Sequence, residues 1–154
     1  MRHLLLDLYD CDVERLADEA HLRAVLAALP DRLHMQAVSP VYLAHIDQVS
    51  EPQDAGHSGF VIIATSHCSL HAWPGYGMLN ADVFSCETFD ADAVASWLVE
   101  QFRAGDREQR VIERALGSPR LSNRNKPAYQ PDVLRHSLTG HRVRLMGGLL
   151  PPLL

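Results

Sequence analysis

Serine, histidine and cysteine are concentrated in one stretch, Ile62-Ile63-Ala64-Thr65-Ser66-His67-Cys68-Ser69-Leu70-His71-Ala72-Trp73-Pro74-Gly75, followed shortly by Asp82-Val83-Phe84-Ser85-Cys86. Hydroxyls, imidazoles and thiols attack carbonyls and carry protons near neutral pH, and here they are set among β-forming apolar residues. The pattern is that of a hydrophobic scaffold presenting reactive groups. Taken singly, each has a plainer reading: a serine bonded to backbone, a cysteine filling core space, a histidine satisfied at a strand edge. Metal binding by His57, His67, His71, Cys68 and Cys86 is the rival chemistry. Neither Cys-x-x-Cys nor His-Glu-x-x-His spacing occurs, and along a strand His67, Ser69 and His71 point one way and Cys68 the other, so no metal site is expected.

The elements that must position these groups can be read from periodicity. His3 to Tyr9 is a leucine-rich buried strand, and Asp12 caps a helix whose apolar positions Leu16, Ala20, Val25, Leu26 and Leu29 repeat helically until Pro30 stops it. Leu33 to Val49 reads as one strand interrupted near Pro40 or as two short strands. A turn-rich loop, 51–56, precedes Phe60 to Ala64, a strand expected to be buried on both faces. Leu70 to Trp73 continues the next strand until Pro74-Gly75-Tyr76-Gly77 turns the chain. Ala81 to Cys86 then places Asp82, Phe84 and Cys86 on one side. Asp90 caps a helix bearing Val94, Trp97, Leu98 and Phe102, Gly105 closes it, and Arg110 to Glu113 reads as a last strand. This order predicts an α+β fold, a mostly antiparallel sheet with helices on one face in a two-layer sandwich. The domain is expected over 1–117. Residues 118–154, rich in Pro, Asn, Arg and Gly, read as a loosely structured extension with a short helix around Val133 to Leu138.

The reactive run resembles the self-processing segment of the bacterial and archaeal S-adenosylmethionine decarboxylases, which carry a Ser-His pair, a His before Thr-Trp-Pro and an Asp-x-Phe-Thr-Cys element at these spacings. Arg2-His3-Leu4-Leu5-Leu6-Asp7-Leu8-Tyr9-Asp10-Cys11-Asp12 is similar to that family's opening strand, and Gly56-His57-Ser58-Gly59 also matches. The resemblance covers roughly the first two thirds of the chain. It implies that Ser66 attacks the Thr65 carbonyl, turning the peptide link into an ester, with strain at the junction favouring the shift. β-Elimination then leaves fragments 1–65 and 66–154, the second blocked by a pyruvoyl group made from Ser66. Ser58 and His71 occupy the positions that assist processing, and Cys86 that of the proton donor in catalysis. The pyruvoyl carbonyl, through a Schiff base with the substrate amine, would act as the electron sink that pyridoxal phosphate provides elsewhere. Trp73 and Tyr76 are candidates for stacking on a ligand ring. Strand alternation does not by itself put Ser66 and His71 on one face, since they are five residues apart, so a bulge or a place at the strand end is required.

Three departures from the family fall near the substrate or the cut. Thr65 stands where the residue before the serine is usually Glu. Gly75 stands where an acidic residue follows Trp-Pro and holds ribose hydroxyls. A loop aromatic contributed to a partner subunit's site is missing from Glu51 to Gly56. The resemblance implies a homodimer pairing through its sheets and a small amino-acid-type substrate, first S-adenosylmethionine. Arginine or ornithine is the alternative, with Asp47, Glu51 and Asp54 available for a cationic substrate. An unprocessed relative that binds without catalysis is the third reading.

Composition bounds the rest. The 154 residues suit one core, with 47% hydrophobic residues. Three cysteines, Cys11, Cys68 and Cys86, cannot all pair within the chain, and no basic region with an apolar segment precedes the first strand, so a reducing cytoplasm is the expected home. No apolar run approaches the length of about 20 residues needed to span a bilayer, so no membrane partner is expected. A net charge of −5 gives no global attraction for nucleic acid. The late basic residues Arg120, Arg124, Lys126, Arg135, Arg142 and Arg144 read as a solvated tail.

Overall fold

The computed structural model describes residues 1–47 and 49–114, all within the compact unit Met1–Leu116. The expected extension from 118 onward, its short helix and its basic cluster lie outside the described residues. Strands β1 (Arg2–Tyr9), β2 (Tyr42–Ile46), β3 (Gly56–Ile63), β4 (Ser66–Trp73), β5 (Met78–Ser85) and β6 (Asp106–Glu113) form one sheet in the order β2-β3-β4-β5-β1-β6. Every neighbouring pair runs antiparallel. Helices α1 (Val13–Ala17), α2 (Glu19–Arg32) and α3 (Ala91–Phe102) complete the α+β fold.

Alternation along the strands sorts the chain into a core face and an open face. Leu4, Leu6 and Leu8 of β1, Val61 and Ile63 of β3, Cys68, Leu70 and Ala72 of β4, and Leu79, Ala81 and Val83 of β5 are buried. They share one core with Leu22, Val25, Leu26 and Leu29 of α2 and Val94, Leu98 and Phe102 of α3. The opposite face carries His3, Ser58, Phe60, Ile62, His67, Ser69, His71, Asn80, Asp82 and Phe84, none of them buried. β3 therefore corrects the expectation of burial on both sides. Phe60 and Ile62 are 41% and 37% exposed, because no helix covers the face they share.

Other boundaries moved for identifiable reasons. The first helix is two: Asp12 caps α1 through the Glu14 and Arg15 amides, and Asp18 then interrupts it, capping α2 through the Ala20 and His21 amides. Pro30 lies inside α2 instead of ending it. It falls in the last turn, where the missing N–H forfeits one bond, and the Leu33 amide donates to the Leu29 and Pro30 carbonyls. α3 begins at the predicted cap, Asp90, but closes at Arg103, which takes the left-handed conformation (φ 50°) two residues before Gly105. Of the two short strands allowed between Leu33 and Val49, one is β2 and the other is a single bridge, Ala37 to Ile63.

Candidate active site

β3 and β4 are joined by the shortest possible reversal, Ala64-Thr65, with Ile63 paired to Ser66. Two-residue hairpins ordinarily place positive φ angles within the loop. Neither Ala64 nor Thr65 has one; the positive angle falls instead on Ser66, at φ 156°. A non-glycine residue held there stores about 1–3 kcal/mol of strain. The residue before it is clamped. The Ser85 hydroxyl donates to Thr65 Oγ1 at 3.0 Å, Thr65 Oγ1 donates to Met35 Sδ at 3.3 Å, and the Thr65 carbonyl accepts the Cys86 amide at 3.0 Å. Ser66 Oγ lies 3.2 Å from His67 Nδ1, and the His67 ring meets Phe84 edge-on with centroids 5.9 Å apart. Ser66 at the head of β4 thus satisfies the strand-end placement that its parity requires; the register with β5 passes through Ser66–Ser85 without a bulge.

A second cluster occupies the far end of β4. Ser58 and His71 face each other across β3 and β4, with Ser58 Oγ 2.8 Å from His71 Nδ1. Beyond them Trp73 Nε1 donates to Asn80 Oδ1 at 2.9 Å, and Asn80 Nδ2 donates to Asp7 Oδ1 at 2.6 Å, so the indole is tied by its polar edge. A cavity of about 350 Å³ opens here between Ile46, Val49, Asp54, His57, Ser58 and Trp73. His57 is buried with its Nδ1 unpartnered, and burial beside His45 pulls its pKa down.

Adjacent strands do join Ser58 to His71, as their spacing suggests, but one chain does not bring that pair to Ser66. Five residues at about 3.3 Å each separate His71 from Ser66 by roughly 16 Å along an extended strand. Within one chain the candidate residues therefore fall into two groups. Ser66, Thr65 and Cys86 form one, Ser58, His71 and Trp73 the other.

The turn after Trp73 accounts for Gly75. A Cβ there would stand 2.6 Å from the Gln53 Cα and carbonyl oxygen, because the 3₁₀ turn Pro52–Asp54 lies against it. No larger residue fits without moving that turn. The same contact brings Asp54 to Tyr76, whose hydroxyl donates to Asp54 Oδ1 at 2.5 Å and is itself raised in pKa by that bond. Asp54, one of three loop carboxylates noted from sequence, therefore lines the cavity beside Trp73, while Asp47 and Glu51 stay exposed.

The three thiols differ. Burial pushes Cys11 up to about 11 and Cys68 up to about 12, keeping both protonated in the core, whereas Cys86 is exposed just past β5. Among the described residues no group of three or more His, Cys, Asp or Glu is placed to hold a metal ion.

The model of the S-adenosylmethionine decarboxylase family matches residues 2–115, taking in both groups of candidate residues and every strand described. The chain belongs to that family. A relative from Archaeoglobus fulgidus named S-adenosylmethionine decarboxylase proenzyme is 30% identical over 114 residues, 73% of this chain and 96% of its own length. A Bacillus cereus protein of the same name, numbered 1, is 31% identical over 130 residues, 82% of this chain and 93% of its own. The crystal structure of the adenosylmethionine decarboxylase from Aquifex aeolicus superposes with a TM-score of 0.62 at 24% identity, covering 73% of this chain and 88% of that one, and shows the same fold.

Within this decarboxylase family member, sequence reading gave no role to His67, Ser85 or Asn80. Asn80 and Ser85 sit on β5 in step with Asp82, Phe84 and Val83, where alternation shows a polar residue but not its partner. His67 follows Ser66 directly, and only the observed approach of its Nδ1 to Ser66 Oγ separates it from an ordinary strand histidine.

Proposed function

We propose that the chain is a proenzyme that cleaves itself between Thr65 and Ser66, and that its mature form decarboxylates S-adenosylmethionine. The observation that carries this reading is the junction itself. A strained serine follows a carbonyl already polarised by the Cys86 amide, in a chain belonging to this family. Attack by Ser66 Oγ on the Thr65 carbonyl relieves the strain, and the Thr65 hydroxyl, fixed between Ser85 and Met35, keeps the acyl side still while the bond to nitrogen breaks.

A pyruvoyl group made from Ser66 would supply the electron-withdrawing carbonyl that carbon dioxide loss needs. The surroundings fit it. Ser66 begins a strand with its side chain half-buried, and the exposed Cys86 follows the β5 residue paired with it, so Cys86 is the proton donor. Trp73 and Tyr76, with Asp54, form the substrate pocket. The relatives above are named for S-adenosylmethionine, and arginine or ornithine gains no support from them.

The working unit in this reading is a homodimer. An antiparallel sheet with a free face is normally polar there, yet Tyr42, Ile46, Phe60, Ile62 and Ile112 expose 37–50% of their surface on this one. In a two-fold pair residue i meets j and j meets i. Two sheets laid face to face then complete each Ser66 half-site with the Ser58–His71 pair of the other copy. A reducing cytoplasm accords with the free thiols of Cys11, Cys68 and Cys86; no helix among the described residues is long and apolar enough to cross a membrane.

The intact mass of the purified protein under denaturing conditions tests the cleavage, and carbon dioxide release from labelled S-adenosylmethionine tests the reaction. Fragments 1–65 and 66–154, the latter lacking a free amine, are expected. A single uncut chain would instead favour a binding protein.

A further inference from the structure

We propose that His67 is the base that takes the Ser66 proton in the first step of self-cleavage, with the Cys86 amide as the donor that stabilises the oxyanion. The inference rests on the self-cleavage reading and assigns the proton that this reading leaves without an acceptor.

Three observations carry it. A serine hydroxyl attacks a carbonyl only if something removes its proton, and the acceptor must stand within hydrogen-bond reach. His67 Nδ1 does, at 3.2 Å from Ser66 Oγ. His71 of the same chain is roughly 16 Å away by strand geometry, and in either copy of a pair its Nδ1 is engaged by Ser58, which leaves that imidazole for the later elimination and not for this first proton. Next, the His67 ring is oriented by its edge-on contact with Phe84, at 5.9 Å between centroids, so Nδ1 is presented to the serine rather than left to rotate. Last, the Thr65 carbonyl oxygen, where negative charge develops, already accepts the Cys86 amide at 3.0 Å.

The step balances within the chain. Neutral His67, carrying its proton on Nε2, accepts the Ser66 hydroxyl proton at Nδ1 as the Oγ–C bond to the Thr65 carbonyl carbon forms. The carbonyl electron pair moves to oxygen, facing the Cys86 amide. When the tetrahedral centre collapses, the C–N bond to Ser66 breaks and the imidazolium returns its proton to the departing nitrogen. An amide has become an ester, no proton is gained or lost, and His67 is neutral again. His67 touches a reacting atom and is in that sense a catalytic residue of processing.

His67→Asn is the informative variant, because its amide oxygen can accept a hydrogen bond near the place of Nδ1 but cannot carry the proton through the step. Each chain is pulse-labelled in cell-free synthesis and followed by gel, with Ser66→Ala as the uncleavable reference. Cleavage of His67→Asn is expected to slow by about 10²–10⁴-fold. The uncut chain that accumulates is expected to resist hydroxylamine, which cuts esters, since the block precedes the ester. Cleavage at the wild-type rate would overturn the role of His67, and so would a hydroxylamine-sensitive uncut chain, which would place the block later. Ser66→Ala/His67→Asn is melted against Ser66→Ala to verify folding, with His67→Gln substituted if the first pair differs. A wild-type chain that never cleaves would remove the self-cleavage reading and this inference with it. Cleavage that is lost in Ser66→Ala but unchanged in the His67 variants would remove this inference alone.

Discussion

Ser58 and His71 are direct partners across β3 and β4, joined at 2.8 Å, yet the strand that carries His71 holds Ser66 at its opposite end. If two copies share their half-sites, Ser66→Ala and His71→Ala chains are each uncleaved alone but complement when produced together. The His71→Ala chain should then be cut, using the imidazole of its companion. Mass analysis of the mixture reads this directly, and no cutting in the mixture would count against the face-to-face pair.

Cys86 meets the junction through its backbone amide, and in the proposed mechanism it serves turnover through its thiol. Cys86→Ala should therefore still cleave, because the amide that meets the Thr65 carbonyl survives. Turnover should drop by about 10²-fold or more. Carbon dioxide release beside intact mass separates the two effects, and unchanged turnover would take Cys86 out of the proton-donor role.

Restoring the family's acidic residue at position 75 should harm this chain. Gly75→Glu pushes the Pro52–Asp54 turn, through its Gln53, away from position 75, at about 1–3 kcal/mol. A lower melting temperature and a raised KM are expected together, since the displaced turn carries Asp54 away from Tyr76. Tyr76→Phe, which only frees Asp54, should raise KM without the loss of stability.

His57 predicts a one-sided pH response. Its folded pKa lies below 6.5, chiefly from burial and next from the neighbouring His45, with the Glu19 charge acting in the opposite direction. The unfolded chain binds the proton first as pH falls, so this group lowers stability progressively below about pH 6.5 and leaves it unaffected above. Denaturant midpoints across that range, compared with His57→Gln, should show a shallower acid slope in the variant.

The core is the least forgiving part. Leu70, fully buried on the central strand β4, should cost about 2–5 kcal/mol when cut to alanine, measurable by urea unfolding.

Local signals carried most of the architecture. Leucine alternation in β1, aspartate caps at Asp12 and Asp90, and the run through Ile63 each state a neighbour-level preference that the packing then obeys. What escaped depended on distant partners. Two-sided burial of β3 was inferred from an apolar run, but whether a second layer covers Phe60 and Ile62 is decided by where the helices go. The matched positions of Ser66, His71, Cys86 and Ser58 were visible, and the separation of Ser66 from the Ser58–His71 pair within one chain was not, because spacing along a chain says nothing of which end of a strand a site uses. Thr65 shows the same limit. As a residue replacing Glu it looked like a loss, whereas its hydroxyl turns out to be held by Ser85, twenty residues later, and Met35, thirty residues earlier.

The strand order gives the cut a further meaning. β1 belongs to the segment before Ser66, yet it is seated between β5 and β6, which both follow it, while β3 remains zipped to β4. The proposed cut at Thr65 would therefore release nothing; the two pieces would stay interwoven through these strand pairings. Once melted, however, they must find each other again. Before cutting, refolding is a first-order event independent of dilution, and afterwards it becomes second-order. Maturation thus commits the molecule to the shape it reached as one chain.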